Sequence, residues 1–217
     1  VLTVAVNRIA AVGNASYGYF AGGSPGPRST VSRLDYSNDS GGGVSKGNLT
    51  TSKHGRTGVG NQSYGYISGG IISTTVDRID YDNDTATATP KGPLAAQGYA
   101  RGATGNGSYG YIAGGSPETV SGTNIQRIDY ANDSNTALLK GTISESKFYL
   151  CGTGDQSYGY FGGGRENTDP AYPDITSTSK IERIDFANDT ATASPKGPLA
   201  IAFREGAAVS AAANANT

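Results

Sequence analysis

The stretch Ser16–Gly23, SYGYFAGG, decides the fold because the chain writes its pattern four times. Ser-Tyr-Gly-Tyr stands at Ser16–Tyr19, Ser63–Tyr66, Ser108–Tyr111 and Ser157–Tyr160. A small or apolar pair follows each copy, and then a double glycine: Gly22-Gly23, Gly69-Gly70, Gly114-Gly115 and, on the same reading, Gly162-Gly163. Short aromatic and β-branched runs that end in glycine are strand-and-turn signals.

Moving outward, a loop of variable length leads to Arg-[Ile/Leu]-Asp-[Tyr/Phe] at Arg33–Tyr36, Arg78–Tyr81, Arg127–Tyr130 and Arg183–Phe186. Alternation along these runs puts Arg and Asp on one face and the apolar residues on the other. Asn-Asp comes next in every copy, which is turn chemistry, since both side chains cap their own turns and tolerate left-handed backbone. A Lys-Gly pair closes the pattern at Lys46, Lys91, Lys140 and Lys196. Successive tyrosine phrases lie 47, 45 and 49 residues apart, which is the length of one four-stranded propeller blade. A small-residue run (RIAAVG, RTGVG, RGATG, LCGTG) fits an innermost strand beside a narrow axis.

The expected fold is therefore all-β, a single β-propeller domain over residues 1–217, built of four four-stranded blades or forming part of a larger propeller. The repeats run from about 8–55, 56–100, 101–150 and 151–203. Residues 204–217 are a tail or closing strand, because REGAAV at Arg204–Val209 writes the inner-strand phrase a fifth time. The start, VLTVAVNRIAAVG, has neither an initiator Met nor a basic leader region, the pattern expected at the edge of a longer chain.

Composition narrows the function classes. The 17 Lys and Arg against 18 Asp and Glu leave no cationic excess for nucleic acid. No apolar run is long enough for a membrane helix. One Cys, Cys151, excludes an intrachain disulfide framework, and one His, His54, excludes a multi-histidine metal centre. No catalytic residues, metal or cofactor are expected.

The strand order, the double glycine and the polar turn resemble the kelch repeat of β-propellers over almost the whole chain, from about Arg8 to Val209. The chain departs from kelch in having no Trp, with a Pro-Lys-Gly-like stretch in its place. The wording SYGYFGGG…IERIDFANDTATASPKGPL is similar to repeats in large structural proteins of marine tailed phages. That resemblance implies a virion or extracellular location and a non-enzymatic module that displays loops to surface glycans, partner proteins or other virion proteins. The kelch likeness alone implies the alternative of a cellular or secreted protein-interaction propeller, with a homo-oligomer open to either.

Two sets of residues are singled out. The pairs Arg33/Asp35, Arg78/Asp80, Arg127/Asp129 and Arg183/Asp185 recur identically, as expected of structural salt bridges reaching a neighbouring strand or blade. The longest variable loop carries Arg165, Glu166, Asn167, Asp169, Tyr172 and Asp174, a mixture of aromatic and hydrogen-bonding groups suited to sugar hydroxyls. The eight Asn-x-[Ser/Thr] matches read as turn chemistry. The acidic turns, such as Asp80, Asn83 and Asp84, lack the spacing of a dedicated calcium loop.

Overall fold

The computed structural model describes residues 5–116, 122–166 and 176–208. Four antiparallel four-stranded sheets follow one another along the chain, each a simple meander. The first comprises β1 (Ala10–Gly13), β2 (Tyr17–Ala21), β3 (Val31–Asp35) and β4 (Val44–Ser45). The second has β5 (Arg56–Gly60), β6 (Tyr64–Gly69), β7 (Val76–Asp80) and β8 (Thr89–Pro90). The third has β9 (Gly102–Gly105), β10 (Tyr109–Ala113), β11 (Asn124–Asp129) and β12 (Leu138–Thr142). Between it and the fourth lies β13 (Lys147–Phe148). The fourth sheet then takes β14 (Cys151–Gly154), β15 (Tyr158–Gly162), β18 (Ile181–Asp185) and β19 (Ser194–Lys196). Its hairpin carries β16 (Arg165–Glu166) and β17 (Thr176–Ser177), which join β13 in a small three-stranded sheet.

Each SYGY phrase is the second strand, hydrogen-bonded between the small-residue strand and the arginine strand. The register is the same throughout: Tyr19 faces Arg33, Tyr66 faces Arg78, Tyr111 faces Arg127 and Tyr160 faces Arg183. The glycine inside the phrase is a matter of space. A Cβ on Gly65 would lie 2.7 Å from the Tyr81 hydroxyl and 2.5 Å from Val12 of the preceding sheet.

The double glycine sits in left-handed backbone, with φ of 70° and 103° at Gly69-Gly70, a geometry that glycine adopts without a Cβ penalty. In the fourth sheet this pair is Gly163-Gly164 (φ 64° and 99°), one residue later than the sequence reading placed it. Gly162 is instead the last residue of β15, where the first sheet has Ala21. Three consecutive glycines hide the register that the strand pairing fixes.

The first strands form the inner side of the assembly: β1 packs on β5, β5 on β9, and β9 on β14. All four line a common cavity of about 340 Å3, walled by residues such as Val12, Val59, Thr104 and Thr153, with Ala208 at its margin. Small residues are needed here, because a Cβ on Gly58 would come within 2.4 Å of the Ala11 carbonyl.

A residue at the entrance to each inner run has a left-handed φ: Arg8 52°, Gly55 70°, Ala100 58°, Tyr149 59° and Glu205 57°. These five are linked in series by backbone hydrogen bonds. Gly55 N donates to Arg8 O, Ala100 N to Gly55 O, Tyr149 N to Ala100 O and Glu205 N to Tyr149 O. The segment from Arg204 to Ala208 is exposed and belongs to no strand, although its sequence repeats the inner-strand phrase.

Three apolar clusters occupy the spaces between successive sheets. The one between the first and second sheets joins Tyr19, Val31 and Leu49 to Ile67, Ile79 and Tyr81. Tyr19, Tyr66 and Tyr111 are fully buried in these layers. Each stacks on the aromatic residue that opens the next sheet's polar turn: Tyr81, Tyr130 and Phe186, at ring-centroid distances of 4.8, 4.9 and 4.7 Å. Such stacking contributes about 0.5–1.5 kcal/mol beyond the area buried.

Candidate functional site

The repeated Arg and Asp of the arginine strand do not pair with each other. Asp35, Asp80, Asp129 and Asp185 each turn to the backbone of the following 3-10 turn, accepting from the N–H of Ser37, Asp82, Ala131 and Ala187. This is the capping geometry of a short polar side chain at a turn's entrance. The arginines reach across to the next sheet instead. Arg33 Nη1 lies 2.7 Å from Asp84, Arg78 Nη1 2.8 Å from Asp133, and Arg127 Nη1 2.7 Å from Asp189. The carboxylate is thus the Asp of the Asn-Asp turn, one repeat further on.

Two more donors converge on it. The Tyr19, Tyr66 and Tyr111 hydroxyls donate to Asp84, Asp133 and Asp189 at 2.9 Å. Lys46, Lys91 and Lys140, from the Lys-Gly landmark, approach the other carboxylate oxygen at 3.0, 3.0 and 3.3 Å. Behind each arginine a ring from its own sheet supports the guanidinium, with Arg33, Arg78 and Arg127 lying 4.2–4.3 Å from the ring centroids of Tyr17, Tyr64 and Tyr109. Burial pushes the Asp84 and Asp133 carboxyls up, yet the hydrogen bonds from Lys, Tyr and Arg outweigh it and hold both below the usual carboxylate range. Desolvation and the adjacent carboxylate drive the three tyrosines well above the ordinary phenol value.

The glycine of each Lys-Gly pair lets the next sheet's turn close in. A Cβ on Gly47 would lie 1.8 Å from Ala86 O, on Gly92 2.0 Å from Asn135 O, and on Gly141 1.9 Å from Ala191 O. Backbone bonds complete the contact, from Gly47 N to Asp84 O, Gly92 N to Asp133 O and Gly141 N to Asp189 O.

A second set of buried polar groups was not singled out by the sequence reading. The residue before each repeated Arg is Ser32, Asp77, Gln126 or Glu182, and all four are buried. Three of them grip the segment that leads into their own sheet. Asp77 pairs with Arg56 at 3.0 Å and accepts from Thr50. Gln126 bonds the backbone N and O of Ala96. Glu182 pairs with Lys147 at 2.6 Å and accepts from Ser144 N. Polarity at that one position in every repeat was the available signal.

Of the loop residues expected to meet a ligand, Arg165 and Glu166 form β16. The Arg165 guanidinium lies over the Phe148 ring at 4.9 Å, and Glu166 lies 3.2 Å from Lys180, which also pairs with Glu145. Asn167, Asp169, Tyr172 and Asp174 lie outside the described residues. Cys151 is half-buried, and burial pushes its thiol up, away from reactivity. Among the described residues no group of three His, Cys, Asp or Glu side chains gathers as a metal site would require. In the acidic turn of Asp80, Asn83 and Asp84, the Asp84 oxygens are engaged by two cations and a hydroxyl. Among the described residues no helix is long and apolar enough to cross a membrane. In comparisons with known proteins, no family model and no curated protein matches the chain.

Replacing Asp133 with Ala strands the Tyr66 hydroxyl, Arg78 and Lys91 together and should cost about 2–4 kcal/mol in chemical denaturation. Asp129→Ala, which removes a turn cap and an exposed hydrogen bond from Asn132, should cost about 1 kcal/mol. Equal losses would refute this division of roles.

The depressed carboxyls also set an acid limit. Their contribution is complete above the unfolded carboxylate value of about 3.9 and is lost as pH falls through their lower folded values. The melting temperature should therefore hold from neutrality to about pH 4 and fall below it. Scanning calorimetry across pH 2.5–7 (roughly the carboxylate range) measures this directly.

The arginines at the head of the second and third inner strands should differ sharply. Arg56→Leu leaves the Asp77 carboxylate buried without its cation and should lower Tm by about 10 °C. Among the described residues Arg101 meets only backbone carbonyls, and burial pushes its pKa down to about 10. Arg101→Leu should leave Tm unchanged or raise it, since the fourth sheet has Leu150 at this place.

Proposed function

We propose that the four sheets are successive blades of a kelch-like β-propeller belonging to a larger ring. The support is the backbone series through Arg8, Gly55, Ala100, Tyr149 and Glu205, which has five places. In a ring of four, the fifth place is the first again, and Arg8 holds it.

On this scaffold the chain serves as a non-enzymatic structural or binding module of a virion fibre or appendage. It presents the loops between second and third strands to surface glycans. The observation that carries the reading is a contrast within each repeat. The Asp-centred junctions are written identically three times, while the second-to-third-strand loops differ in length and wording in every copy. Function on a rigid scaffold is carried by loops of this kind. The phage-like repeat phrase supports the setting. The loop of the fourth sheet is the longest and richest in groups that hydrogen-bond sugars.

The test is binding of the purified chain to an array of bacterial and algal surface glycans. A control variant has residues 167–175 replaced by a Gly-Ser linker. Specific binding by the parent that the variant loses is the expected result. Absence of binding by both folded proteins would turn the reading towards a scaffold or protein-interaction role.

A further inference from the structure

The junction seen three times within the chain is present as two unjoined halves at its ends. On the fourth sheet the donor half is complete. Tyr160 and Arg183 face each other in register, and Arg183 lies 4.2 Å from the Tyr158 ring centroid, as its counterparts lie on theirs. Lys196 ends β19 and Gly197 follows it, at the places that Lys46 and Gly47 take after β4. Yet among the described residues no carboxylate lies within ion-pair distance of Arg183 or Lys196. Lys196 is exposed where Lys46, Lys91 and Lys140 are half-buried. Tyr160 is not fully buried, while Tyr19, Tyr66 and Tyr111 are. Gly197 is the most telling. Its three counterparts have the next sheet's backbone within about 2 Å of where a Cβ would stand, whereas Gly197 has nothing within 4 Å.

The acceptor half lies on the first sheet. Tyr36 corresponds to Tyr81, Tyr130 and Phe186, but among the described residues no ring stacks on it, and it is 52% exposed against 6% for Tyr81. Asp39, the counterpart of Asp84, Asp133 and Asp189, is exposed and has no ion-pair partner among the described residues. Its turn also takes another shape. Asp84, Asp133 and Asp189 close three-residue turns at φ near −70° and ψ near 0°. The first turn runs from Tyr36 to Gly41 and breaks at Asn38 (φ −142°, ψ 60°). The one turn without a sheet in front of it is the one that departs from the common form.

We infer that the open face of the fourth sheet, made by Tyr160, Arg183, Lys196 and Gly197, is a docking surface for the Tyr36–Asp39 turn of a second copy of this chain. The partner follows from chemistry already present. The face offers a phenol, a guanidinium, an ammonium and a glycine notch. The three groups that fill such a face elsewhere in the molecule are an aromatic ring, a carboxylate and a turn backbone. Each copy carries one of each half, so the contact is head-to-tail and can close on itself when the second copy docks back on the first.

Docking places the second copy's Arg8 at the position that Glu205 holds in the backbone series. The exposed segment from Arg204 to Ala208 is the piece that gives way.

The test is sedimentation velocity of the 217-residue chain over a wide concentration range, with Asp39→Arg and Arg183→Asp variants. Neither residue has an ion-pair partner among the described residues, and Arg183 gives up only its contact with the Tyr158 ring of its own sheet, so both variants should stay folded and melt close to the parent, which circular dichroism checks. The parent is expected to shift from monomer to dimer or higher as concentration rises, and each variant alone to remain monomeric. An equimolar mixture of the two should associate again, because one interface is then of parent type and the other carries the reversed charges. A parent that stays monomeric throughout, or variants that associate as the parent does, would overturn the inference.

Discussion

Each junction rests on a carboxylate that its own sheet cannot satisfy. Asp84 is largely removed from water and so needs partners. They come from the tyrosine strand, the arginine strand and the residue after the fourth strand of the preceding sheet. One anion therefore fixes three strands relative to one another and to the next sheet. The tyrosine serves twice, since its ring stacks on the incoming aromatic while its hydroxyl meets the anion. Hydrophobic packing supplies the adhesion between sheets, and the Asp-centred cluster selects the register in which they adhere.

The second polar layer shows how much freedom remains once that register is set. The position before the repeated Arg is buried in all four sheets, yet it holds serine, aspartate, glutamine and glutamate in turn. Asp77 uses an arginine cation, Glu182 a lysine cation, and Gln126 the backbone of Ala96. Each solution holds the connecting segment. The geometry demands a satisfied polar group there but not a particular one. The junction carboxylate is less free, because the two cations and the phenol that meet it recur unchanged.

Much of the architecture could be read from residues alone. The four SYGY phrases, the four small-residue runs ahead of them and the arginine strands became strands in the expected order, whereas the fifth small-residue run did not, and the all-β class followed. What the sequence concealed was reach. Arg33 and Asp35 are two residues apart on one face and look like partners, but Asp84, forty-nine residues beyond Asp35, is where the guanidinium goes. A pattern that repeats identically gives every aspartate the same credentials, so spacing cannot say which copy of the motif supplies the acceptor. The Lys-Gly landmark was visible, whereas its double role as carboxylate ligand and steric notch needed the neighbouring sheet in place. Three consecutive glycines likewise concealed by one residue where β15 ends.

Placing the acceptor one repeat beyond its donors has a consequence for how such a chain can grow. A single unit contains the donor half of one junction and the acceptor half of another. Copying one unit of about 45 residues therefore adds a sheet and brings both the contacts that bind it forward and those that bind it back. No second mutation is needed to create a matching surface. Insertion by gene duplication is then close to neutral for folding at each step, since stability in such arrays is approximately a sum over neighbours. Lengthening or shortening the array becomes a change of one genetic event, and the variable loops can diverge afterwards without disturbing what holds the sheets together.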